Sequence, residues 1–411
     1  MYRGVKLIGL ERLGELCASD KAATARVAAV ILFDVMRWTA CSIVLPFAFV
    51  MANGAAAGET DAAWEKIAPY FSPPAEYAGK LGAYRSPLLF EDGSKVTDAR
   101  DWARRRVEIL RKWHAVMGPW PAVIEHPAVK VLSETPRDGL RELAVEVEVG
   151  PNRRLAGILL LPAEQGRRPA VLVSFYEPGT SVGRPSKAGK GQFGDYGLQL
   201  ARRGFVTLSI GSPGGDAWRP DRGGATCQPL SYLAYIAANC ANALADRDDV
   251  DAKRLGVVGH SYGGKWAMFA ACLSERFAAA AWSDPGIVFD EKRPNVNYWE
   301  PWYLGLDTTL PTQRKPGLVT EADPRTGAYK VMVERGMDLT ELHALMAPRP
   351  FLVSGGSEDG PGRWVALNHA VAVNRLLGFE GRVGMTNRKD HPQTAEANEV
   401  VYRFFEYFLK P

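Results

Sequence analysis

Residues 255–273 read LGVVGHSYGGKWAMFAACL, and the organisation of the chain is read outward from them. LGVVG is a short apolar run bounded by glycine, as a strand buried on both faces requires. Gly259-His260-Ser261-Tyr262-Gly263 then matches G-x-S-x-G, and a helical stretch follows directly. A sharp strand-to-helix turn of this kind strains the serine backbone and lifts its hydroxyl above the sheet. Flanking glycines let neighbouring chain approach, and the helix N-terminus favours developing negative charge. A phosphate loop is the competing reading, since Gly259…Gly264-Lys265 imitates G-x-x-x-x-G-K. Trp266 stands where that motif needs Ser or Thr, so the magnesium ligand is missing.

On either side the pattern alternates between strand and helix. Strand-like runs occupy 128–133, 142–149, 154–161, 170–175, 205–210, 278–283, 350–355 and 381–385. Helical runs occupy 98–117, 195–203, 228–246, 364–377 and 393–409, the first capped by Thr97 or Asp98. Apolar strands covered by crossover helices predict an α/β fold: a mostly parallel central sheet with helices on both faces. Residues 285–345, rich in Pro and aromatics, read as an inserted cap. The expected division is a leader at 1–57, an N-terminal arm at 58–127 that packs on the main unit, and that α/β unit at 128–411.

The leader rests on residues 38–52, WTACSIVLPFAFVMA, which follow Arg37 and precede the small-residue stretch NGAAAG. The run is short for a membrane span of roughly 20 residues but suits a secretory signal. Met36 is then the natural start, the mature protein is secreted or periplasmic, and no stable membrane span is expected. Five cysteines (17, 41, 227, 240 and 272) without C-x-x-C spacing exclude a zinc ribbon and a dense disulfide framework. No metal or cofactor is expected. A net charge of +4 with no long basic run makes no electrostatic case for nucleic acid.

Among six histidines, His391 alone lies in a loop between the last strand and the last helix, where a general base follows serine and acid in chain order. Two carboxylates compete as its partner. Asp284 ends the strand after the serine, and Asp359 ends PFLVSGG; Asp359 is preferred. Either could hold the imidazole tautomer and stabilise its charged form. The oxyanion hole is expected from the backbone N–H of Tyr262 and that of Tyr176 or Glu177. Aromatics in NYWEPWYLG (297–305), Trp299 and Trp302 above all, suit the apolar faces of sugar rings.

The Ser261/Asp/His391 layout resembles the α/β-hydrolase superfamily over residues 128–411. More narrowly, SPLLFEDGSKVTDARDWARRRVEIL (86–110) is similar to the opening pattern of the glucuronoyl esterase family, a D-G turn before a W-x-x-R-R-x-E-I helix. The resemblance implies that Lys265 binds a substrate hydroxyl, that Asp284 stands where many members carry a catalytic glutamate, and that Trp364 contacts sugar. The family pattern G-C-S-R-x-G-K departs here, with Tyr262 at the arginine position. The layout is also similar to acetyl xylan esterases and dienelactone hydrolases, for which Asp359 would be the acid. The expectation is an exported serine esterase acting through an acyl-enzyme on a small-molecule or polysaccharide ester. A serine peptidase on the same fold, or a catalytically inactive binding relative, are the alternatives.

Overall fold

The computed structural model describes residues 62–410 apart from 165, 186–192 and 295–296. The leader expected at 1–57 lies outside the described residues. Among them, no helix is long and apolar enough to cross a membrane.

The chain enters through α1 (Ala99–Met117), whose Asp98 carboxylate caps it by accepting from the Arg100 and Asp101 N–H groups at 2.8 Å each. Trp102, Ile109, Trp113 and Met117 recur at helical spacing and are buried. Three antiparallel strands follow: β1 (Val129–Arg137), β2 (Leu140–Gly150) and β3 (Arg153–Pro162). β1 is a polar edge exposed along most of its length, which blunts it against pairing with another chain.

From β4 (Arg168–Ser174) the order becomes strand–helix: α2 (Pro178–Ser181), α3 (Tyr196–Arg202), β5 (Val206–Ile210), α4 (Pro229–Ala245), β6 (Val250–His260), α5 (Tyr262–Leu273) and β7 (Ala279–Ser283). The insertion carries α6 (Gly327–Glu334) and α7 (Thr340–Ala344). β8 (Phe351–Gly355), α8 (Trp364–Leu376), β9 (Val383–Asn387) and α9 (Ala395–Leu409) complete the chain. The nine strands lie in the order β1-β2-β3-β5-β4-β6-β7-β8-β9, parallel from β5 to β9. This is the expected mostly parallel sheet.

Alternate residues of the buried strands feed two cores, as a period of two requires. Leu172, Val257, Ala280 and Phe351 face the layer of α1, α4 and α5. Val173, Val258, Ala281 and Leu352 face Leu200 of α3 and Phe404 and Phe405 of α9. The segment before α1 closes that second face, with the Trp64 ring 5.1 Å from Tyr407. On the first face, α1 reaches the insertion: Glu341 of α7 accepts from Arg105 at 2.8 Å, Lys112 at 2.6 Å and the Trp113 indole at 3.1 Å. Cys227, Cys240 and Cys272 are buried free thiols.

Candidate active site

Strand register assembles the site. His260 pairs with Ser283, Ser283 with Ser354, and Ser354 with Thr386, so β6 to β9 end side by side. The residues that follow, Ser261, Asp284, Asp359 and His391, therefore meet at the carboxyl edge of the sheet although they are far apart in sequence.

Ser261 has φ +56°, the strained turn that its motif predicts. Its N–H donates to the Ser283 carbonyl at 2.8 Å, which ties the turn to the next strand. The flanking glycines are required by space: a Cβ on Gly259 would lie 2.2 Å from the Gly263 carbonyl oxygen. One on Gly263 would lie 2.0 Å from that of Ser174. No side chain fits between these backbones.

His391 Nε2 lies 2.9 Å from Ser261 Oγ, and its Nδ1 lies 2.7 Å from Asp284 Oδ2. Asp284 is fully buried and also accepts from the N–H groups of Gly356 at 2.7 Å and Asp359 at 2.9 Å. Its lone pairs are thus filled by amides and one imidazole, as a stable buried carboxylate needs. The preference for Asp359 is corrected here. Asp359 is buried too, but its carboxylate accepts from the Gly286 and Ile287 N–H groups at 2.8 and 2.7 Å and makes no hydrogen bond to His391. It holds the start of the insertion against the end of β8. Burial and the adjacent Asp284 charge push its pKa up to about 6.

Two residues that the sequence reading passed over complete the histidine's surroundings. Arg388 donates to the carbonyls of Ser354 at 2.8 Å, His391 at 2.6 Å and Pro392 at 2.7 Å, fastening the loop that carries the base. The only sequence signal was an arginine three residues before that base. His260 packs its ring 4.7 Å from that of His391 and sets Nδ1 3.0 Å from Ser283 Oγ. Burial, then the charges of His391 and Arg388, hold its pKa well below the ordinary histidine value.

The two tyrosines expected at the oxyanion hole lie beside Ser261. The Tyr262 N–H opens α5, where no preceding turn supplies an intrahelical acceptor. The Tyr176 ring lies 5.1 Å from that of Tyr262, and burial raises its pKa while the Ser261 hydroxyl partly opposes that rise.

The expected substrate contacts fare differently. Trp299 is fully buried and spends its indole N–H on the Gly317 carbonyl at 2.7 Å, so it packs the insertion and presents no face to a ligand. Trp364 is only 2% exposed, at the start of α8. Lys265 is buried as well, donating to the Pro285 carbonyl below the rings of Tyr298 and Tyr303. Desolvation lowers its pKa to about 7, against the pull of Asp359 and Glu358. For Trp299 the physical reason is that so small an insertion makes its own core from its aromatics, whereas Trp364 and Lys265 are buried by the helices that carry them. Trp302 lies nearer the surface, its ring 4.0 Å from that of Trp218. Trp218 belongs to the loop after β5.

A family model described as the prolyl oligopeptidase family matches residues 237–315, from α4 through the nucleophile into the insertion. No curated protein matches. Among solved structures, a glucuronoyl esterase from Solibacter usitatus is similar at 20% identity and a TM-score of 0.60, covering 80% of this chain and 98% of that one. A carbohydrate esterase family 15 glucuronoyl esterase from Caldicellulosiruptor kristjansonii shares 20% identity with a TM-score of 0.56, over 82% of this chain and 93% of that one. A protein described only as a candidate acetyl xylan esterase, from Bacteroides fragilis, shares 15% identity with a TM-score of 0.52, over 80% and 90%. At such identities the likeness is one of fold, and the fold is that of the α/β-hydrolases.

Proposed function

We propose that the protein is an exported serine esterase that hydrolyses a carbohydrate-linked carboxylic ester of the acetyl xylan or glucuronoyl type. The observation that carries this reading is the unbroken path Ser261 Oγ–His391–Asp284, at 2.9 and 2.7 Å, with the serine on a strained turn.

His391 Nε2 takes the Ser261 proton as Oγ attacks the ester carbonyl, and Asp284 stabilises the resulting imidazolium. The N–H groups of Tyr262 and Tyr176 receive the oxyanion. The tetrahedral intermediate collapses, His391 returns the proton to the leaving alcohol, and the acyl group stays on Ser261. Water activated by His391 then releases the acid. The carbohydrate assignment draws on the aromatic surroundings of the site and on the esterases with which the chain shares its fold. Export draws on the apolar run at 38–52.

The peptidase alternative has one observation in its favour, the prolyl oligopeptidase match at 237–315. Fluorophosphonate labelling of wild type beside Ser261→Ala tests the nucleophile, and lack of Ser261-dependent labelling would sink both enzymatic readings. Acetyl, feruloyl and methyl-glucuronate esters run beside peptide p-nitroanilides then separate esterase from peptidase. Turnover of the anilides alone would decide for the peptidase.

A further inference from the structure

Trp218 differs from the tryptophans expected to bind substrate. It is 57% exposed, whereas Trp299, Trp302 and Trp364 are buried. Leaving an indole in water forgoes the burial that makes large aromatics useful to a core, and this one is nonetheless held in place.

Trp218 is held at both ends. Its backbone N–H donates to Asp216 Oδ1 at 2.8 Å, and the next N–H, of Arg219, donates to the same oxygen at 3.1 Å. The ring lies 4.0 Å from that of Trp302 with 35° between planes, so one face is covered and the other is presented to solvent. A ring fixed in this way loses little entropy when a ligand arrives.

The platform also leads to the chemistry. Trp302 stacks on Tyr262 at 6.4 Å, and Tyr262 is the residue after the nucleophile. Ser212, on the same loop as Trp218, sets its hydroxyl 3.4 Å from the Tyr262 hydroxyl. One row of rings thus runs from beside Ser261 to the surface.

We propose that the outer face of Trp218 is a stacking subsite for a pyranose ring of the polysaccharide, beyond the unit that carries the ester. This deepens the esterase reading and rests on it. The axial C–H groups of a pyranose form an apolar patch that covers such a face, while its hydroxyls stay hydrated. A small alkyl or aryl ester held at Ser261 would not extend so far.

Xylohexaose is the probe, titrated by calorimetry into the otherwise unaltered Ser261→Ala protein so that no turnover intervenes. Saturable binding is expected, weakened about five- to twentyfold by Trp218→Ala and largely retained by Trp218→Tyr, which keeps a flat ring. Phe379→Ala, which removes another exposed aromatic, should leave binding unchanged. Lack of saturation below about 20 mM would overturn the subsite, as would equal Kd values with and without Trp218. Fluorophosphonate labelling of the wild type is a separate readout: failure there removes the esterase reading, whereas failure of the titration removes only the subsite.

Discussion

The backbone N–H of Asp359 donates to the carboxylate of Asp284 at 2.9 Å, so a hydrogen bond joins the two acids that compete as partner of His391. Only Asp284 reaches the imidazole, whereas Asp359 spends its oxygens on Gly286 and Ile287. Asp284→Asn should therefore lower kcat by about 10⁴, because an amide favours the wrong tautomer of the base. Asp359→Asn should lose less than about tenfold and show a lower denaturation midpoint, since it loosens a loop. Steady-state hydrolysis of p-nitrophenyl acetate by both variants decides it. The reverse order of losses would return the acid to Asp359.

Much of this was readable in the chain itself. G-x-S-x-G between an apolar strand and a helix locates Ser261, and chain order locates His391, because local geometry and topology are written in local sequence. The choice between Asp284 and Asp359 was not readable. Both follow buried strands, and which carboxylate faces His391 depends on where the amides of Gly356 and Asp359 lie. Burial of Trp299 was hidden for a similar reason: an aromatic run reads the same whether its rings face a ligand or each other. Trp218 escaped notice because a glycine-rich loop gives no periodicity from which to infer exposure.

Crowding at the nucleophile turn gives a second prediction. A Cβ on Gly263 would fall 2.0 Å from the Ser174 carbonyl oxygen, while one on Gly224 would meet nothing within 4 Å. Gly263→Ala must push β4 and α5 apart and displace Ser261. Soluble yield should fall sharply, and any folded fraction should lose about 100-fold in kcat, as a misplacement near 1 Å does. Gly224→Ala should change stability by about 0.5 kcal/mol at most. Equal behaviour of the two variants would refute the packing argument.

The anchor between α1 and α7 gives a third. Arg105 is fully buried, and Glu341 receives it together with Lys112 and the Trp113 indole. Replacing Glu341 by Gln removes one carboxylate from the network, while Arg105 keeps Glu91 and Glu108 and Lys112 keeps Glu91. Loss of one charged hydrogen-bond partner, with others kept, costs about 1.5 to 3 kcal/mol. Urea denaturation should show that loss at pH 7, whereas Arg104→Gln, which removes an exposed pair with Asp101, should cost under about 1 kcal/mol. A Glu341→Gln protein as stable as wild type would mean that the arm is not fastened by this network.

His343 gives the last. Its Nε2 donates to the Ile287 carbonyl at 2.8 Å, on the loop that Asp359 holds, and its ring packs beside those of Trp282 and Phe351. Burial lowers its pKa from 6.5 to about 4, so the folded protein keeps it neutral where the unfolded chain would protonate it. Between these two values the unfolded state binds more protons, and stability falls as pH falls. The loss approaches about 3 kcal/mol near pH 4, at 1.36 kcal/mol per pH unit. Asp359, raised to about 6, and Asp338, raised to about 7, run the opposite way, because the folded state holds their protons more tightly. The wild-type curve alone therefore mixes signs, and the difference from His343→Gln isolates the histidine. Urea denaturation at pH 7, 5.5 and 4 should find the wild-type advantage over His343→Gln shrinking steadily with acidity. A constant difference would mean that His343 titrates alike in both states.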